Sequence, residues 1–207
     1  MIKSNSLLPP GLVMLYVMDG VSRIGPALFA PLLAIYVLAL GGTVLHLGEM
    51  TAVFSIAYAI TSFIVSKKYI GARYSLMIVS YAVLCVYSVA LVFTNSIPVL
   101  YCVIILGGVG IALKGPPFSR IIMDHVDPTL SVEATSLFRI VTSVLAAIFG
   151  YLGGSFIHHS HSPTPHLNGD FGVFKLIFLV MAVFFGISFL SSLAYRARFK
   201  HLIQSQK

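Results

Sequence analysis

Residues 74–93, YSLMIVSYAVLCVYSVALVF, indicate the fold class because these 20 consecutive residues include no charged side chain. An α-helix needs roughly 20 apolar residues to cross the hydrocarbon core of a bilayer. The apolar residues form a continuous run and do not alternate with polar ones, which argues against a strand of a membrane β-barrel. The stretch therefore predicts a transmembrane helix.

Similar apolar runs lie on both sides of this stretch. The whole chain is 58% hydrophobic and only 9% charged, whereas soluble domains are about 25% charged. We predict an all-α integral membrane protein in which residues 1–207 form a single domain of six transmembrane helices. The predicted spans are about 11–40, 46–66, 74–93, 97–117 with a further helical stretch allowed at 118–123, 134–157 and 171–193.

The placement of lysine and arginine predicts the orientation. With the N-terminus inside, 11 of the 13 basic residues fall in or beside cytoplasmic segments, and only Lys175 and Arg23 do not. Because basic residues concentrate on the cytoplasmic side, we expect a multi-pass plasma (inner) membrane protein with both termini cytoplasmic. Residues 195–207 form its basic cytoplasmic tail. The net charge of +7 comes from these segments beside the membrane, so we expect contact with membrane lipids. The chain has no basic stripe that would suggest binding to nucleic acid.

Short glycine motifs occur between the second and third spans and within the fourth and fifth spans. Gly71 and Arg73 match the end of a Gly-x-x-x-Asp-Arg-x-Gly-Arg-Arg turn, although Lys68 stands where that turn has aspartate. Gly108-Val109-Gly110 lies in the fourth span, and the fifth contains Gly150-Tyr151-Leu152-Gly153-Gly154. Small residues of this kind let membrane helices approach closely. In these motifs and in the order of its spans, the chain resembles one six-helix half of a major facilitator superfamily transporter.

The resemblance implies two three-helix repeats of inverted topology, at about 11–93 and 97–194. In such folds, spans interrupted by glycine and proline at corresponding positions of the two repeats mark the binding site. Gly25-Pro26 in the first span and Gly115-Pro116 in the fourth satisfy this pattern. We predict helix breaks at both steps, beside a central cavity lined by the first helix of each repeat.

Three charged residues within the spans are candidates for substrate binding or proton coupling. Asp19 and Arg23 are four residues apart, so they share a helix face and can pair. An ionisable residue inside a membrane span is costly and often functional. One hypothesis has Asp19 take up a proton and release Arg23 to hold an anion; the other is a purely structural salt bridge. Lys114 is the third candidate, with snorkelling to the headgroups as its alternative.

Two further groups of polar residues lie near the span ends. Arg120 and Asp124 are also four residues apart and are predicted to pair with each other. A stretch rich in histidine offers imidazole ligands for a metal, but its residues have no fixed ligand spacing and also suit a solvated loop. We therefore expect no metal and no cofactor. The weak metal candidates are His158, His159, His161 and His166.

The function predicted on this basis is that of a secondary-transporter module, which moves a small solute by alternating access. Because the chain corresponds to one half of the usual unit, we expect a homodimer or a second six-helix half as its partner. A non-transporting scaffold subunit is one alternative. A membrane enzyme similar to CDP-alcohol phosphotransferases is another, but Asp19-Gly20-x-x-Arg23 is followed by no further aspartate up to residue 48. We therefore expect no enzymatic activity.

Overall fold

The structure is a computed structural model that describes residues 10–68, 72–126, 128–160 and 171–198, and most of these residues are helical. Among the described residues, six helices are long and apolar enough to cross a membrane. The prediction of an all-α membrane fold is therefore confirmed. The α-helices are α1 (Pro10–Phe29), α2 (Leu33–Ala39), α3 (Val44–Lys68), α4 (Arg73–Val92), α5 (Ile97–His125), α6 (Ser131–Ser160) and α7 (Phe171–Arg198).

The first span is broken, but not where the sequence predicts. Helix α1 continues through Gly25-Pro26 to Phe29, and a 3-10 turn at Ala30–Leu32 then joins it to α2. Pro31 lies in this turn, and a proline disfavours the helical conformation of the residue before it. The break predicted at Gly25-Pro26 is therefore wrong, and the chain is interrupted about one turn later.

The predicted break at Gly115-Pro116 is also wrong. Helix α5 runs without interruption from Ile97 to His125 and contains both Pro116 and Pro117. Each proline removes one backbone hydrogen bond, and membrane helices tolerate this loss when local adjustments and neighbouring groups satisfy the freed carbonyls. Residues 118–123, which the sequence left open, belong to this same helix.

Two other helices are longer than predicted. Helix α6 extends to Ser160, so His158 and His159 belong to its last turn and not to a loop. Helix α7 extends to Arg198, so the first residues of the predicted basic tail are helical. Continuing a helix satisfies backbone groups within the segment, which is how such groups are accommodated near a membrane.

The helices pack in a pattern that is symmetric between the two repeats. Exchanging α1 with α5, α3 with α6 and α4 with α7 converts the α1–α6 contact into the α3–α5 contact. The same exchange converts α1–α7 into α4–α5 and leaves α4–α7 unchanged, and these five contacts are the most extensive ones. Consecutive spans run in opposite directions, so this symmetry is that of two inverted three-helix repeats.

The two ends of the bundle differ in character. We call the end that contains Arg73, Asp124 and Arg198 the basic end. At the opposite end, the Tyr36 hydroxyl donates a hydrogen bond to the Thr94 carbonyl at 2.9 Å. Tyr36 also packs edge-on against Phe178, with ring centroids 5.1 Å apart. These contacts hold α2, which follows the break, against the segment after α4 and against α7.

Glycines permit the closest approaches between the repeats. A Cβ atom on Gly108 would lie 2.8 Å from the Phe54 carbonyl oxygen, and one on Gly153 would lie 2.6 Å from that of Leu28. Real Cβ atoms do not approach so closely, so α5 must present glycine to α3, and α6 must present it to α1. The predicted packing role is therefore confirmed for Gly108 and Gly153.

The remaining motif glycines differ among themselves. A Cβ on Gly110 would lie 2.7 Å from a Leu84 side-chain atom, and one on Gly150 would lie 3.6 Å from the Ala27 carbonyl oxygen. Among the described residues, no atom of another helix lies within 4 Å of the Cβ position of Gly154, so Gly154 takes no part in the packing between the described helices. Successive helix positions point about 100° apart, which turns Gly154 away from α1. Gly71 lies outside the described residues.

Candidate functional site

Asp19 is the centre of a charged cluster within the bundle. It lies in the middle of α1, and its side chain is completely buried. Arg23 Nε donates a hydrogen bond to Asp19 Oδ2 at 2.7 Å. The four-residue spacing places both side chains on one face of the helix, as the sequence predicts.

Lys114 joins the cluster from the other repeat. Its Nζ lies 2.5 Å from Asp19 Oδ1 and also donates to the Ser22 hydroxyl at 3.1 Å. The Lys114 residue is only 8% exposed, so the snorkelling interpretation is wrong. A long side chain reaches the headgroups only when nothing nearer satisfies its charge, and here a buried carboxylate does so.

Tyr81 and Ser22 complete the cluster, and the sequence did not single out either residue. The Tyr81 hydroxyl points to Asp19 Oδ1 at 3.4 Å, and Lys114 Nζ lies 5.4 Å from the centre of the Tyr81 ring. The Ser22 hydroxyl donates to the Asp19 carbonyl at 2.7 Å. Tyr81 comes from the uncharged run of α4, and a tyrosine there gives no signal of its contact with Asp19 until the packing of the helices is known.

The cluster holds more positive than negative charge. Asp19 is the single carboxylate between the Lys114 ammonium and the Arg23 guanidinium, so with all three ionised the cluster carries a net charge of +1. Buried charges need partners, because the low dielectric of the interior makes an unpaired charge expensive. The surplus cation must therefore be reached by water or by an anion.

Arg23 is the cation that faces outward. Its side chain is 46% exposed, whereas the side chain of Lys114 is 10% exposed. The guanidinium also lies 5.5 Å from the centre of the Phe138 ring on α6, which positions it at the α1–α6 contact. A guanidinium presents several donors in a plane that suits carboxylate or phosphate oxygens. The arrangement can therefore hold an anionic group at Arg23 while Lys114 neutralises Asp19.

An apolar cavity of about 250 Å³ lies beside the cluster. Pro26 of α1 and Ile111 of α5 line it, together with residues of α3, α4 and α7. Gly25 does not line this cavity; a Cβ on Gly25 would lie 2.5 Å from Met181 Cγ, so Gly25 permits the contact between α1 and α7. Of the predicted cavity residues, Pro26 therefore lines this opening, and the helix continues through it without a break.

A second opening lies at the basic end between α3 and α5. Pro116 lines this groove of about 390 Å³, together with the exposed Arg120. A Cβ on Gly115 would lie 3.5 Å from the Tyr58 hydroxyl, so Gly115 lies at the contact of the same two helices. The two glycine-proline steps therefore mark different openings and do not border one common cavity.

A second ion pair joins the repeats at the basic end. Arg73 Nη1 lies 3.1 Å from Asp124 Oδ2, so Asp124 pairs across the bundle with Arg73. The predicted pairing of Asp124 with Arg120 is wrong, because Arg120 lies on an exposed part of α5. Next to this pair, the His125 ring and the Tyr195 hydroxyl are hydrogen-bonded at 2.9 Å. Arg73 thus links α4 to α5 through its ion pair with Asp124, and a structural contact of this kind is expected of a residue in the turn motif.

The histidine-rich stretch is only partly described. Among the described residues, no group of three metal-ligating side chains comes together. His158 and His159 belong to the last turn of α6. His161 and His166 lie outside the described residues.

Comparison with known proteins identifies the family. The sequence model of the Major Facilitator Superfamily matches residues 14–205. No curated protein matches the chain significantly. The family match covers nearly the whole chain and agrees with the six spans and the inverted pairing of the helices. The chain therefore belongs to the major facilitator superfamily.

Proposed function

We propose that the chain is a module of a secondary transporter that moves a small solute by alternating access. The observation that carries the proposal is the Asp19–Lys114 ion pair of 2.5 Å. It joins the first helix of one repeat to the first helix of the other, at a depth where charge is costly. Membership of the family supports a transporter of the major facilitator type.

The charges of the cluster suggest how a proton and a solute could be coupled. When Asp19 is ionised, it attracts both Arg23 and Lys114. A proton taken up by Asp19 cancels its negative charge, so both cations lose their partner. Two unpaired cations in a low-dielectric site then favour an anionic group near Arg23. Release of the proton restores the ion pairs and weakens the binding of the anion.

Alternating access requires a second six-helix half in this proposal. Helices α3 and α6 bury the smallest share of their residues among the candidate spans, and they occupy corresponding positions in the two repeats. Their exposed side chains include Ile60 and Phe63 on α3, and Val144 and Ile148 on α6. Such faces suit a second copy of the chain or another half-transporter, with lipid covering what remains.

The orientation that we propose follows from the basic end. Four arginines lie at or near this end of the bundle, namely Arg73, Arg120, Arg139 and Arg198. The positive-inside rule assigns such an end to the cytoplasm. Both termini then lie in the cytoplasm, and the protein resides in the plasma membrane. Cysteine-accessibility labelling at Arg198→Cys and Thr43→Cys in sealed cells tests this, with only Thr43→Cys labelled from outside.

Uptake by proteoliposomes tests the transport proposal. A thermal-shift screen of small anions and amphipathic metabolites first selects a stabilising solute, and its uptake is then measured with and without a pH gradient. We expect proton-driven accumulation that Asp19→Asn abolishes. Glu49→Gln is the matched control, because Glu49 is an exposed carboxylate at the opposite end that accepts a hydrogen bond from Tyr101.

Two outcomes would contradict this proposal. The scaffold alternative predicts that no solute is accumulated, even when the protein is folded and cross-linking shows its partner half in place. Proton-driven uptake that is unchanged in Asp19→Asn would remove the coupling role of the cluster. Chemical cross-linking in membranes, with sizing in detergent, separates a homodimer from a lone six-helix unit.

A further inference from the structure

The apolar cavity lies directly beyond the charged cluster on the same three helices. On α1, the cavity-lining Pro26 follows Arg23 by three residues, and on α4, Leu84 follows Tyr81 by three. On α5, which runs in the opposite direction, Ile111 precedes Lys114 by three residues. Three residues of α-helix advance about 4.5 Å. All three displacements therefore point away from the basic end, and the cavity begins about one turn beyond the charges.

The cavity is apolar throughout most of its wall. Of its 14 lining residues, only Thr51 and Tyr87 carry a polar group in the side chain. The Thr51 hydroxyl already donates to the Leu47 carbonyl at 2.9 Å. Water needs two to four polar partners to be stable in a cavity, and empty apolar cavities bind apolar molecules. The cavity therefore suits the hydrocarbon part of a ligand.

The cavity also reaches the surface of the bundle. Ala30 in the 3-10 turn and Thr51 on α3 both line it, and both residues are exposed. The interruption of the first span at Ala30–Leu32 thus forms one side of the opening. A ligand can enter at this seam without displacing the buried core of the bundle.

We infer that the site binds an amphipathic monoanion, with a carboxylate at Arg23 and an unbranched hydrocarbon chain in the cavity. This inference rests on the proposed function, because it takes Arg23 as the anion-binding group. The one exposed guanidinium pairs with a single carboxylate, and the apolar wall selects the chain. An apolar cavity of about 150 Å³ holds benzene, so 250 Å³ has room for roughly eight to ten carbon atoms.

Equilibrium binding of radiolabelled octanoate to the full chain in lipid nanodiscs tests the inference. Empty nanodiscs give the background from partitioning into lipid. Each buried methylene contributes about 0.8 kcal/mol, which corresponds to roughly a fourfold gain in affinity. We expect saturable binding that is at least about a hundredfold tighter than that of acetate, and competition by octanamide at least about tenfold weaker than by unlabelled octanoate.

Substitutions at Arg23 and at the opening of the cavity locate the two parts of the ligand. Arg23→Gln removes the anion-binding group and should weaken octanoate binding about tenfold or more, with little effect on octanamide. Thr51→Phe fills the cavity at its opening and should weaken both. Ser55→Phe is the matched control, because Ser55 is also exposed on α3 and bonds a carbonyl four residues earlier, but it does not line the cavity. Ala30→Phe provides a second cavity-filling variant if Thr51→Phe does not fold.

The outcomes separate this inference from the proposed function. Octanoate binding that is no tighter than that of acetate, or unchanged by both cavity-filling variants, would overturn the inference. An absence of saturable binding, as expected if lipid acyl chains occupy the cavity permanently, would overturn it as well. Uptake of another solute that depends on Asp19 would still support the proposed function in those cases. Saturable octanoate binding with the expected variant pattern supports the site even if no uptake is found.

Discussion

Two ion-pair clusters join the first repeat to the second, and they differ in depth and in charge balance. In the middle of the bundle, completely buried Asp19 is shared by Lys114 and Arg23. At the basic end, Arg73 and Asp124 form a one-to-one pair in which each side chain is 14% exposed. A balanced pair near solvent holds two helices together at little cost. A surplus cation at depth is costly to maintain, which is expected of a site that must accept an anion.

The largest effect is expected from Asp19→Asn. The substitution leaves Lys114 buried without its carboxylate, and breaking a buried ion pair costs about 3–5 kcal/mol. We expect the melting temperature of the purified protein to fall by about 10 °C. The double variant Asp19→Asn/Lys114→Met should recover part of this loss, because it removes the stranded charge. A double variant that melts at as low a temperature as Asp19→Asn would show that the stranded charge of Lys114 does not cause the loss of stability.

A smaller effect is expected from Gly153→Ala, which tests the packing that holds the central cluster. The new Cβ would lie 2.6 Å from the Leu28 carbonyl oxygen, so α1 and α6 must move apart. Overpacking of this kind costs about 1–3 kcal/mol. Gly154→Ala is the matched control, because no atom of another described helix lies within 4 Å of its Cβ position. Equal melting temperatures for the two variants would contradict the close α1–α6 contact.

Arg73→Met tests the pair at the basic end and should cost less than Asp19→Asn. We expect a loss of about 1–2 kcal/mol, because partial exposure lets water solvate Asp124. High salt should reduce the difference between Arg73→Met and wild type, since ions screen exposed charges more than buried ones. Thermal melting at low and high ionic strength measures both effects. A loss as large as that of Asp19→Asn would remove the distinction between the two clusters.

The smallest effect is expected from Tyr195→Phe, which removes the hydroxyl that bonds the His125 ring at 2.9 Å. One hydrogen bond contributes about 0.5–1.5 kcal/mol, so the melting temperature should fall by only a few degrees. Tyr151→Phe on the exposed face of α6 should leave it unchanged. A larger fall in melting temperature for Tyr195→Phe than for Arg73→Met would contradict this ranking. The hydrogen bond would then contribute more than the ion pair to stability at the basic end.

The charged site was only partly predictable from the sequence. The Asp19–Arg23 pair follows from local geometry, because the four-residue spacing brings the side chains together in any α-helix. Lys114 was recognised as a charged residue in a span, but 95 positions separate it from Asp19. Helical periodicity carries no information about contacts between helices so far apart. Tyr81 carries no charge and therefore gave no signal at all.

The helix interruptions show a similar limit. Prolines at positions 26 and 116 predict helix breaks, yet both lie within continuous helices, and the break in the first span follows Phe29. A proline prevents one hydrogen bond, and whether the helix then bends or ends depends on what its neighbours offer. The motifs predict the packing of Gly108 and Gly153, whereas Gly154 shares the motif of Gly153 and contacts no other described helix.

The sequence by itself determined that the chain crosses the membrane as six helices, because long continuous apolar runs that do not alternate with polar residues are stable in lipid as helices. The sequence motifs also resemble those of the major facilitator superfamily, and the family match over residues 14–205 supports this resemblance. The tertiary structure decided which charges meet and where the apolar cavity lies. Those features depend on the inverted packing of α1 against α6 and α7 and of α5 against α3 and α4. Contacts between distant helices are set by the fit of whole surfaces, and no local pattern of residues records that fit.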